Sequence, residues 1–174
     1  RTILNACNVM GYHALGLGPA DLQLGIETLL ELQKEARFPF LCANIVEKAT
    51  GKLAFKPYIV VTLAGIRIGV YSVMLAELND TFKARVLPDH QLKDPEQVTR
   101  EVVAELRKSC DIVVALSQLN VDTNEKLIDA KLGIDVLVDP LSKNGNKAIW
   151  VDETGYVTVR NGTPVLRIDG QGSR

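Results

Sequence analysis

Tyr58-Ile59-Val60-Val61-Thr62-Leu63-Ala64-Gly65-Ile66-Arg67-Ile68-Gly69-Val70-Tyr71-Ser72-Val73-Met74 is a pair of β-branched runs around Ala64-Gly65. Glycine supplies the positive φ of a tight reversal, so the stretch predicts a hairpin with strands over 58–63 and 66–74. Two more runs, Asp111 to Leu116 and Ile134 to Val138, are almost continuously apolar. Strands of that kind are buried on both faces. Helical patterns alternate with them. Asp94-Pro95-Glu96 offers an N-cap and first turn to the stripe Val98, Val102 and Leu106, and Thr123 to Leu132 is a helix stopped by Gly133. Strand, helix, strand, helix, strand predicts an α/β class with mixed β-sheets and flanking helices.

Upstream of the hairpin, Ile3 to Tyr12 reads as a short helix. Gly16-Leu17-Gly18-Pro19 reads as a turn, and Leu22, Ile26, Leu29 and Leu30 give a helical stripe to about Ala36. Phe38 to Val46 is a short buried strand. Leu75 to Lys93 has no clean period and is expected to be a long loop. The tail alternates over Ala148–Val151, Tyr156–Arg160 and Val165–Ile168, with turns at Asp152–Gly155 and Asn161-Gly162.

The 174 residues suffice for one domain with a real core, and a net charge of −1 gives no basic surface for nucleic acid or anionic lipid. No apolar run approaches the length of a membrane span. Cys7, Cys42 and Cys110 form no C-x-x-C pair, so nothing has the spacing of a structural zinc or haem-attachment motif. Cys42 and Cys110 are expected to be buried thiols that pack as small hydrophobes. The chain opens at Arg1 with no Met, as a fragment or mature product would. Asn79-Asp80-Thr81 and Asn161-Gly162-Thr163 match the glycosylation pattern.

Ligand sites in such sheets form in loops beyond the carboxyl ends of strands. Three loops qualify: 16–21, 117–120 and 139–144. Gly11 to Gly25 resembles "GYDAxxLGNHEFDYG" of the 5′-nucleotidase-type, calcineurin-like metallophosphoesterases. Phe38-Pro39-Phe40-Leu41-Cys42-Ala43-Asn44-Ile45 resembles their "FPxLxANV". Ala115 to Asn120 is similar to "xLSHLG", and Gly133 to Lys143 to "GIDVIIGGHSH" in its first half. Order and spacing agree along nearly the whole chain. The resemblance implies a partial four-layer α/β/β/α sandwich, with the segment carrying the first metal motifs lying before Arg1. A single domain over 1–174, truncated at both ends, is the expectation.

In that family a pair of divalent metals neutralises phosphate oxygens and activates a water. The resemblance places a metal-binding Asn on Pro19, a leaving-group His on Ala20, one His on Gln118 and two His on Leu141 and Lys143. Proline, alanine and leucine carry no donor atom, glutamine is a poor ligand, and Lys143 sets a cation where a dication should sit. No metal or other cofactor is therefore expected.

Other residues have two readings. Asp21 could cap the following helix or bind metal. Asp139 ends an apolar strand, where catalytic carboxylates occur, but Asp-Pro also opens ordinary turns. Lys143 with Asn144, Ser117 and Gln118 could hold an anion. His13 and His90 lack Ser or Cys partners at a triad-like spacing. Gly16-x-Gly18 lacks the rest of a phosphate-loop pattern.

The leading expectation is a non-catalytic, metallophosphoesterase-like domain of a larger protein, structural or binding in role. The alternative is a metal-dependent nucleotidase-like phosphoester hydrolase whose remaining ligands precede Arg1. The resemblance implies a bacterial, periplasmic or extracellular setting and also allows fusion to multihaem cytochrome segments. Expected partners are the remainder of the protein or a second copy, paired along exposed strands near 111–116 or 134–138, where an open edge would invite pairing.

Overall fold

Ala64 and Gly65 take φ of 50° and 84°, and the chain reverses there as the hairpin reading requires. The computed structural model describes residues 2–75, 78–139 and 157–167. Its elements in chain order are α1 (Thr2–Met10), β1 (Leu15–Gly16), a 3-10 turn (Asp21–Leu24), α2 (Ile26–Glu35), β2 (Phe40–Leu41) and β3 (Ile45–Glu47). The hairpin strands β4 (Tyr58–Leu63) and β5 (Ile66–Met74) follow, then α3 (Asp80–Val86), β6 (His90–Leu92) and α4 (Pro95–Leu106). The chain continues through β7 (Ile112–Gln118), α5 (Val121–Asp129), β8 (Val136–Asp139), β9 (Val157–Arg160) and β10 (Thr163–Arg167).

Six strands form one mixed sheet in the order β4-β5-β7-β8-β10-β9. The two hairpins are antiparallel, and β5, β7, β8 and β10 run parallel to one another. The mixed α/β class expected from the sequence is the observed one. The expectation of free edges near 111–116 or 134–138 is overturned. β7 lies between β5 and β8, and β8 between β7 and β10, because the tail hairpin β9–β10 docks beside β8. Among the described residues, the edges are β4 and β9.

One face of this sheet is closed by α4 and α5. Asp94 caps α4 by accepting from the Gln97 N–H at 2.7 Å, with Pro95 in the first turn. Asn120 caps α5 by accepting from Thr123 N–H at 2.8 Å. Val103, Leu106, Leu127 and Ile128 pack on Tyr71, Val73, Val113, Ala115 and Leu137. Helix α4 comes so near the sheet that a Cβ on Gly69 would stand 2.8 Å from Leu106 and 3.1 Å from Cys110. At the far edge Arg160 donates through Nε to Asp129 Oδ1 at 2.8 Å and pairs with Glu125 at 2.8 Å, tying β9 to α5. The guanidinium holds the Asp129 carboxyl below its usual range.

A second core gathers Leu17, Leu22, Ile26, Leu29, Phe38, Phe40, Ile45, Phe55 and Met74. Several expectations change here. Gly16, expected to open a turn over 16–19, instead ends a short strand, Leu15–Gly16, that runs parallel to β2. The stripe toward Ala36 is broken at Gly25, φ 80°, into a 3-10 turn and α2. The single strand over 38–46 is two strands. The expected loop over 75–93 contains α3, capped by Asn79 through Thr81 and Phe82 N–H, and β6, which pairs with β3. The alternation expected at 148–151 and the turn at 152–155 lie outside the described residues.

Asn44 joins these parts. It is fully buried between β2 and β3. Its amide nitrogen donates to Met74 O at 2.8 Å and Lys93 O at 3.2 Å, and its oxygen accepts from Met74 N–H at 3.1 Å. The Cys42 thiol also donates to that oxygen, at 3.4 Å, and burial pushes this thiol up to about 12. Replacing Asn44 by Ala strands buried backbone groups at the end of β5. Asn44→Ala is expected to destabilise the fold by about 2–3 kcal/mol in urea denaturation with an unchanged slope. A change within error of zero would mean the clamp is not structural.

Candidate functional site

The loop after β1 is closed by its own side chain. Gly18 N–H donates to Asp21 Oδ2 at 2.8 Å, and Asp21 and Leu22 N–H return to Gly18 O at 3.1 and 3.4 Å. Asp21 opens the 3-10 turn, where a carboxylate suits the exposed N–H groups. Pro19 and Ala20 sit between these contacts, Pro19 partly buried and Ala20 exposed. Leu17 N–H donates to Leu41 O at 3.0 Å and holds the loop to β2.

This loop meets the end of β7. A Cβ on Gly18 would fall 2.8 Å from Gln118 Oε1 and 2.9 Å from its Cδ, so the Gln118 amide lies directly on Gly18. Positions 18–21 and 118, far apart in sequence, are thus neighbours. Ser117 is not part of that meeting. Successive strand residues point to opposite faces. Ser117 turns to the helix side, where its hydroxyl donates to Asn124 Oδ1 at 2.5 Å and accepts from Leu119 N–H at 3.3 Å. Ser117 and Gln118 thus leave β7 on opposite faces. Asp139 is buried and shares the helix-facing side of β8 with Leu137. Leu141, Lys143 and Asn144 lie outside the described residues.

His13 is exposed in the segment before β1, and His90 stands opposite Glu47 in the β3–β6 pair. Among the described residues no three His, Cys, Asp or Glu side chains converge to hold a metal. Two residues that matter here carried no functional flag in the sequence. Asn44 fixes the end of β5 beside this region, and Asn124 occupies the Ser117 hydroxyl. Asn44 lies within the stretch that resembles "FPxLxANV", and that was the only signal.

No protein-family model matches the chain. A 5′-nucleotidase of Vibrio cholerae is 31% identical over 112 residues, 63% of this chain and 20% of that relative. A solved 5′-nucleotidase precursor from Thermus thermophilus superposes with a TM-score of 0.69 at 26% identity, over 93% of this chain and 34% of that one. The chain is homologous to part of a 5′-nucleotidase-type metallophosphoesterase domain. A calcineurin-like phosphoesterase from Bacillus subtilis shares the fold, with a TM-score of 0.76 at 20% identity over 95% of this chain and 56% of that one. The chain spans about one fifth of the length of the curated relatives it matches.

In this 5′-nucleotidase-like segment two glycines control how closely the loop approaches the sheet, and they differ in what they meet. A Cβ on Gly16 would stand 2.8 Å from Ser72 Oγ and 3.1 Å from Leu116 Cβ, both near rigid backbone. At Gly18 the obstacle is the far end of a flexible glutamine. Gly16→Ala is expected to destabilise by about 1–3 kcal/mol, and Gly18→Ala by less than about 1 kcal/mol, since Gln118 can swing away. Equal or reversed losses in chemical denaturation would contradict this packing.

Proposed function

We propose that this chain is the scaffold of a metallophosphoesterase-like domain without metal-dependent chemistry, serving a larger protein in a structural or binding role. One observation carries the reading. The loop after β1 and the end of β7 are in contact, as two metal-holding loops would be, but the residue that makes the contact is Gln118, and those that follow Gly18 in the loop are Pro19 and Ala20. Proline and alanine have no donor atom. The amide of Gln118 is a weak ligand and is packed on Gly18. The Asp21 carboxylate accepts from Gly18 N–H and closes the turn.

A metal pair would polarise the phosphoryl oxygens and generate a nucleophile from water. These residues do not fit such a pair. By side-chain chemistry alone, Leu141 offers no donor and Lys143 brings a positive charge. The curated relatives are named 5′-nucleotidases, and the activity of those proteins draws on a chain about five times longer than the matched segment. A binding role needs only the loops and the sheet that hold them.

The purified protein is expected to hydrolyse neither adenosine monophosphate nor p-nitrophenyl phosphate above buffer, with or without added manganese, zinc or cobalt. Turnover that disappears in Asp21→Asn or Asp139→Asn would overturn the proposal in favour of a phosphoester hydrolase with a reduced metal site.

A further inference from the structure

A cavity of about 320 Å³ opens where α3, β6 and the residue after β3 meet, and it shares no residue with the Gly18–Gln118 contact. Small-molecule sites begin at about 300 Å³, so this volume suits a small ligand. The polar lining is Lys48, Lys83, His90 and Gln91, and the apolar lining includes Leu87 and Leu92. Among the described residues that line it, none is acidic. The chain as a whole carries 21 acidic and 20 basic residues, so the one-sided lining is local and does not follow from composition.

Lys48 is held in place at this cavity. Its backbone N–H donates to Asp89 O at 2.8 Å, and its ammonium donates to Pro88 O at 2.6 Å and Leu87 O at 3.5 Å. Those acceptors are neutral carbonyls. They leave the charge uncompensated and at least one of the three ammonium protons unused. Lys83 reaches from α3 and stands 3.7 Å from Asp80, whose carboxylate is fully exposed, so water screens that pair. Glu47 lies opposite His90 in the β3–β6 register, and its carboxylate accepts from the Thr50 hydroxyl at 2.5 Å. Two ammonium groups from two elements therefore line one small cavity, with an imidazole and an amide as further hydrogen-bonding groups.

A second cavity, of about 270 Å³, shares His90 and also carries Arg85. Glu27 and Asp89 line it as well, and the Arg85 guanidinium lies over the Phe82 ring, 5.5 Å from its centre. Its charges are mixed, so the preference for an anion belongs to the first cavity. There the lining selects a ligand with a compact double negative charge and an apolar remainder. A phosphomonoester carries about −1.5 to −2 on one head group at neutral pH. A dicarboxylate spreads the same charge over two ends and would set one of them against Leu87 and Leu92.

We propose that the cavity between α3 and β6 binds a small phosphomonoester, its phosphate held by Lys48 and Lys83 and its organic part lying on Leu87 and Leu92. This goes beyond the functional reading above and stands whether or not the loops near Gln118 turn over substrate. The test titrates the purified protein with phenyl phosphate, inorganic phosphate and succinate at constant ionic strength, read by calorimetry and by amide shifts in nuclear magnetic resonance. Phenyl phosphate is expected to bind one-to-one with a dissociation constant below about 1 mM, at least about threefold tighter than the other two. The shifts are expected to centre on Lys48, Lys83, His90 and Gln91. Lys48→Gln removes a charge but also the bonds to the Leu87 and Pro88 carbonyls. The Lys83 ammonium makes no backbone bond among the described residues, so Lys83→Gln is the deciding variant, expected to weaken binding about tenfold with the fold unchanged by circular dichroism. Each of four results would overturn the proposal: no saturable binding, shifts centred on 18–21 and Gln118, unchanged affinity in Lys83→Gln, or equal affinity for inorganic phosphate or succinate.

Discussion

The approach of β1 to the end of the parallel pair β5–β7 is the contact on which the rest of this structure depends. Gly16 has no Cβ, and only this lets a backbone strand settle on Ser72 and Leu116. Once β1 is there, Leu17 continues into β2 pairing, and the loop 18–21 is set against Gln118. Asn44 secures the same region from below. It satisfies both backbone groups of Met74, where β5 ends, and reaches Lys93 after β6. A buried amide that fills its bonding capacity in this way fixes one arrangement, because any shift would strand polar groups away from water.

The same contact separates scaffold from chemistry. The backbone geometry that would bring two loops together depends on glycines, a buried asparagine and strand register, all of which are present. Metal binding would depend on side-chain donors at a few loop positions; Pro19 and Ala20 carry no donor atom, and the Gln118 amide lies on Gly18. Asp21, the carboxylate nearest this contact in the chain, closes its own turn. Burial of the Cys42 thiol pushes its pKa to about 12, so this sulfur stays protonated and packs as an apolar group.

Much of this was legible in the sequence, and the parts that were not share a cause. The hairpin at 58–74 and helix α4 carry their own instructions: β-branched runs around Ala64-Gly65, and Asp94-Pro95 before a helical stripe. Strand β1 has two residues and exists only through its tertiary neighbours, so no local pattern announces it. Helix α3 is a seven-residue element whose one strong local signal is the Asn79 cap. The edge assignment failed because the docking of β9–β10 beside β8 is a long-range pairing that no window of sequence contains. At the site, the identity of each side chain was readable. The facing of Ser117 away from Gln118 was not, because residues 117–120 read as a turn whereas β7 runs on through Gln118.

The most direct measurement is anomalous diffraction from crystals of the protein grown with excess manganese and, separately, zinc. The account predicts no anomalous peak between the 18–21 loop and the end of β7, with the Gln118 amide resting on Gly18 and Asp21 bonded to Gly18 N–H. A well-occupied peak there, with Asp21 turned away from its turn to ligate the ion, would contradict it.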